Sequence, residues 1–312
     1  MEWQTKVKAE PLPDRFTYAT RFLFAGSCFA TEVAQRMREL HFLVAPDAFG
    51  PLFNPASIVS SLERLESRVP FVSADVMHFP YGAYGSLSHH TSFSRGDEDV
   101  FLEYANEQLK AASDFFEKTN VIIVTLGTAW AYTYQGKVVA NCHKMPARLF
   151  KRVFMEPEQI AVLMTPLLER HRNKTWIMTV SPIRHWGDEA HGNQLSKSSL
   201  LLALERLQRS FDNMVYFPSY EIVLDELRDY RYYADDQFHL APQTIDYILK
   251  RFFEIAFNHE TIGLIRQMQK LNASYKHRPL FPLSDEYTIF RKKLDKLRAE
   301  LLQTIGTQRK LC

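Results

Sequence analysis

A chain of 312 residues with 46% apolar and 24% charged side chains can bury a large core without disulfides or metals. A formal net charge of +2 with no dense basic run argues against a nucleic-acid binder that relies on phosphate neutralisation. No apolar stretch approaches the ~18 residues of a membrane span. Met1–Lys6 lacks the apolar core of a leader, and Cys28, Cys142 and Cys312 are too scattered for a disulfide framework or a zinc pattern. Together these features predict a reducing, cytoplasmic setting.

Taken in chain order, Phe22–Ala25 is a short continuous apolar run that predicts a strand buried on both faces. Gly26-Ser27-Cys28-Phe29-Ala30 follows, and Val33, Met37 and Leu40 share one face of a predicted helix over Ala30–His41. Phe42–Ala45 predicts a second strand. Asn54 and Pro55 then open a helix that runs to Leu65, with Asn54 in the capping position. Residues 66–100 lose this rhythm. Their stretch Pro80–His90, rich in Gly, Tyr, Ser and His, reads as a long surface insertion.

Val121–Leu126, Thr175–Val180 and Met214–Phe217 predict three more strands, and Leu195–Phe211 and Gln243–Phe257 predict helices. Continuous apolar strands alternating with amphipathic helices imply βαβ units, hence a parallel sheet inside a three-layer α/β sandwich. From about Glu260 the pattern turns wholly helical, over Ile262–Leu271 and Asp285–Leu302, with a turn at His277-Arg278-Pro279. The chain therefore divides into a domain over 1–258 and a helical extension over 259–312. The extension is expected to pack on the domain or on a second copy, the latter giving a homo-oligomer.

In an open α/β sheet, ligands bind beyond the carboxyl ends of the strands. Ser27 stands at the first such end, entering a helix whose N–H groups and dipole favour negative charge. It reads either as the helix cap or as a nucleophile, and a nucleophilic serine needs a base. Asp236 and His239, three residues apart before the last core helix, supply one: the carboxylate can hold Nδ1–H and leave Nε2 free. The bland alternative is a surface loop in which Asp235 or Asp236 caps that helix. Serine after the first strand, with acid and imidazole before the last helix, is more specific than either half.

With Gly26–Ala30 unbroken, the chain resembles the GSCFA-domain family, a relative of the SGNH/GDSL hydrolases. Phe49–Pro55, Leu126–Trp130, Asn141–Lys144, Ser181–Trp186 and Asp236–His239 carry the resemblance further. It implies a flavodoxin-like sheet and a shallow site. It also implies metal-free and cofactor-free ester hydrolysis or acyl transfer through an acyl-serine. SGNH enzymes hold the oxyanion with the serine N–H, a glycine N–H and an asparagine. Here Ser27 and Gly50 match the first two. Gly127-Thr128-Ala129-Trp130 has Ala129 where the asparagine belongs, so Asn141 is the expected replacement, with Asn54 second because it already caps a helix. Asn54, His89, His90, Gly127, His143, Arg184 and His185 are further candidates for substrate contact. His89, His90, Cys142 and His143 lack paired ligand spacing, so no metal site is expected. The expected activity is a serine esterase acting on a small O-acyl ester, on a small molecule or a glycan. An O-acyltransferase with the same triad and a non-catalytic binding module are the alternatives.

Overall fold

The computed structural model describes residues 4–12 and 15–310. Five strands form one parallel sheet: β1 (Arg21–Gly26), β2 (Leu43–Val44), and three that follow later. Between them and the later strands come α1 (Cys28–Glu39), α2 (Pro55–Ser67), the hairpin β3 (Met77–His78) with β4 (Tyr84–Gly85), and α3 (Glu98–Glu117). The chain continues through β5 (Val121–Leu126) into a small antiparallel sheet of β6 (Trp130–Tyr134), β7 (Lys137–Val139) and β8 (Phe150–Phe154). It then runs through α4 (Pro157–Arg170), β9 (Thr175–Val180), α5 (Glu189–Ser210) and β10 (Met214–Tyr216). A short α6 (Ser219–Glu221) precedes α7 (Pro242–Ala256), α8 (His259–Lys276) and α9 (Asp285–Lys310).

The main sheet runs β10-β9-β5-β1-β2. Counted within the sheet alone this is the 2-1-3-4-5 order of flavodoxin-like folds, which switches direction at β1 and β5 and opens a crevice there. Strand alternation divides the core. Ile122 and Val124 of β5 face the layer of α2 to α5 with Ile58, Leu62, Phe101 and Leu204. Val121 and Ile123 face the opposite layer with Met37 of α1, Ile248 of α7, Met268 of α8 and Ile305 of α9. Both faces are covered, so all six residues of β5 are buried, and the strand could be read from its continuous hydrophobicity.

The five predicted strands and their parallel arrangement agree with the structure. Unread elements were α3, α4, the β3–β4 hairpin, the β6–β8 sheet and the short α6. The 66–100 insertion is also less superficial than expected, since Phe71, Phe79, His89 and Phe93 are buried within it. Among the described residues no helix is long and apolar enough to cross a membrane.

Candidate active site

The β1–α1 turn is built around Gly26. Its φ of +134° lies where L side chains are disfavoured, and a Cβ there would stand 2.1 Å from the Thr125 carbonyl oxygen. The next residue is extended. Ser27 N–H donates to Thr125 O at 3.1 Å, carrying the β1–β5 ladder one step past the strand. Ser27 occupies the cap position of α1, yet its side chain makes no capping hydrogen bond. The hydroxyl is buried and has no hydrogen-bond partner among the described residues. A buried hydroxyl left unpaired calls for an explanation, and capping does not provide one here.

Asp236 and His239 form a compact unit on the loop between α6 and α7. Asp236 Oδ1 accepts the N–H groups of Phe238 and His239, each at 2.9 Å, and Oδ2 accepts Nδ1–H of His239 at 2.6 Å. One carboxylate thus folds the loop and orients the ring. The imidazole bond, followed by the two backbone bonds, holds the Asp236 carboxyl down to about 2. With Nδ1 donating, Nε2 is left as the acceptor. The ring is exposed and is not hydrogen-bonded to Ser27.

Arg184, expected to touch substrate, instead clamps two loops together. Its guanidinium donates to the Gln237 carbonyl and lies 5.0 Å from the Tyr233 ring centre, with Trp186, Tyr230 and Phe238 also around it. His185, on the same loop after β9, makes a second acid–imidazole pair. Its Nδ1 meets Asp188 Oδ2 at 3.0 Å, and the buried Asp188 side chain is also gripped by Arg152.

The expected oxyanion donors require correction. Besides the Ser27 bond to Thr125, Gly50 N–H donates to Asp47 Oδ1 at 2.8 Å. Asn141 Nδ2 donates to Thr91 Oγ1 at 3.2 Å, while its Oδ1 accepts His143 N–H at 2.8 Å. Asn54 is a cap: Oδ1 accepts Ser57 N–H at 2.8 Å and Nδ2 donates to Ser57 Oγ at 3.0 Å. Gly127 N–H donates to Phe53 O at 2.8 Å. Amides in folded loops pair with the nearest acceptor, and here every such acceptor is internal.

Two histidines also move from substrate contact to structure. His89 is fully buried among Phe49, Phe71, Phe93 and Phe101, with Nδ1 on Ser86 Oγ at 2.8 Å. Burial pushes it down to about 3, so the ring is neutral. His143 stacks on Phe79 at 3.9 Å, accepts from Tyr81 OH, and donates Nε2–H to the carbonyls of Ser86 and His89. His90 is partly exposed against Gly50, with Nδ1 on Ser92 Oγ at 3.0 Å. Among the described residues no group of three or more His, Cys, Asp or Glu is placed to hold a metal ion.

One residue escaped the sequence reading. Lys197 of α5 is buried, and its Nζ donates to the carbonyls of Gly127 and Ser181, each at 2.7 Å. A lysine in a helix ordinarily reads as solvated. The available signal was its place at the head of the buried stripe Leu200, Leu204 and Leu207.

The model of the GSCFA family matches residues 21–252. No curated protein and no solved structure matches the chain.

Proposed function

From a chain that belongs to the GSCFA family, we propose a serine hydrolase of the SGNH/GDSL type that cleaves a small O-acyl ester, such as one carried on a carbohydrate, in the cytoplasm. Its reading rests on one observation. An acid–imidazole pair with a free Nε2 stands on a loop of the same sheet whose first strand ends in a buried, unpaired serine hydroxyl. Ser27 Oγ attacks the acyl carbon while its proton passes to Nε2 of His239, and Asp236 steadies the imidazolium. The proton leaves with the alcohol, and an acyl-serine remains. Water activated by His239 then releases the acid. Productive contact needs the His239 loop to close on Ser27, as catalytic hydrogen bonds often tighten only with substrate bound. An acceptor alcohol in place of water would make the same site an O-acyltransferase.

A binding module is the second reading, and the committed oxyanion donors favour it. Fluorophosphonate labelling separates the two. A hydrolase or transferase forms an adduct that maps to Ser27 and vanishes in Ser27→Ala; folded protein that never labels is a binding module. Product analysis with and without sugar acceptors then distinguishes hydrolysis from transfer.

A further inference from the structure

The sheet order places Lys197 one strand away from the turn that carries Ser27. Gly26 pairs with Thr125, Ser27 N–H donates to Thr125 O, and Gly127 directly follows Leu126, the last residue of β5. Leu126 in turn pairs with Val180, and Ser181 is the next residue. The Lys197 ammonium bridges the carbonyls of Gly127 and Ser181, and so sits across the carboxyl ends of β5 and β9, with β1 the next strand beyond β5. A second observation agrees: Lys197 and the Cys28 thiol, one residue after Ser27, act on each other electrostatically.

We propose that the Lys197 ammonium is the positive charge that stabilises negative charge developing on and around Ser27, in place of the amide donors committed elsewhere. The proposal rests on Ser27 being the nucleophile. No described carboxylate acts on Lys197. The groups facing it are the Cys28 thiol of α1, the Tyr220 ring of α6 at 5.9 Å, and the carbonyls of Gly127 and Ser181. Burial pushes both the thiol and the phenol up, so neither offers a counter-charge near neutral pH. A buried cation held by two neutral carbonyls is thus uncompensated until an anion forms nearby, where low polarisability strengthens the attraction. Burial also pulls Lys197 down to about 7, so its charge is lost over an accessible pH range.

The test is the second-order rate of fluorophosphonate labelling from pH 5 to pH 9. Ser27 Oγ bonds to phosphorus, fluoride leaves, and the hydroxyl proton goes to His239. Deprotonation of Lys197 removes the stabilising charge and makes the rate fall as pH rises. Wild-type protein should show a falling limb centred near pH 7. Lys197→Met should label at least about tenfold more slowly at pH 6 and lose that limb, and Lys197→Arg should keep the rate at high pH. A wild-type profile that rises to a plateau and never falls overturns the proposal without any variant, even if Lys197→Met fails to fold. A falling limb that persists in folded Lys197→Met overturns it as well. No labelling at any pH sinks the serine reading and this one with it, whereas labelling at Ser27 with a flat profile sinks this one alone.

Discussion

Gly26→Ala tests the turn that presents Ser27. The φ of +134° alone imposes strain of about 1–3 kcal/mol on an alanine. The added methyl would lie 2.1 Å from Thr125 O, 2.8 Å from Thr125 C and 2.9 Å from Thr125 N. All three are backbone atoms of the buried central strand, so no side-chain rotation relieves the collision. Relief requires parting β1 from β5 at this point, which breaks the Ser27 N–H to Thr125 O bond and leaves buried groups unpaired, at about 1–3 kcal/mol. The sum is roughly 4 kcal/mol, or a fall in Tm of roughly 10 °C for a domain of this size. Gly136→Ala is the control: its φ is +82°, but a Cβ there meets nothing within 4 Å. It isolates the dihedral strain. Urea unfolding followed by circular dichroism and by fluorescence gives both values. If Gly26→Ala falls within about 1 kcal/mol of Gly136→Ala, the collision argument is wrong.

Further outcomes follow from the same geometry. Ser27→Ala should change stability by no more than about 0.5 kcal/mol, because the hydroxyl has no partner to lose; a loss above about 1 kcal/mol in urea unfolding would show that the serine caps α1. His89 is held at about 3 in the folded protein against 6.5 ordinarily, so the unfolded chain binds the extra proton between those values. Stability then falls with acidification below about pH 6.5, by up to roughly 1.4 kcal/mol per unit, and His89→Leu should flatten that slope in melts at pH 4, 5 and 6. Asp236→Asn should slow labelling of Ser27 by roughly 10³-fold, by misorienting the His239 ring, while His185→Ala should slow it less than about tenfold. The reverse ranking would transfer the base to the His185–Asp188 pair.

What could be read from the sequence depended on whether a residue's role is local. The strands at Phe22, Val121 and Thr175 are buried on both faces, so their hydrophobicity is continuous and their boundaries nearly right. Helix α5 begins at Glu189 rather than Leu195 because its first turns bury polar residues such as Asn193 and Ser196 against neighbouring loops. Helix α3 carried a signal in its Asp97 cap and the buried Phe101, Ala105, Leu109 and Phe116 at helical spacing. The place of Ser27 at a strand-to-helix turn and the Asp236–His239 contact were legible because each follows from a turn or a short spacing. The oxyanion donors were not. Whether Gly50 N–H points to a ligand or to Asp47 depends on one loop conformation, which no residue type dictates.

Helices α8 and α9 bear on how much of this chain can fold alone. Leu264, Ile265, Met268, Leu271, Leu294, Leu301 and Ile305 belong to the same apolar cluster as Phe22, Phe42 and Phe257. At about 1.5–3 kcal/mol for each buried side chain, their gross contribution is on the order of 10–20 kcal/mol, comparable to the entire net stability of an ordinary domain. The family segment ends at residue 252, inside α7, and leaves that cluster open to water. The smallest autonomous unit is therefore longer than the segment matched by the family model, and a fragment trimmed to those boundaries would expose the sheet's second face and aggregate.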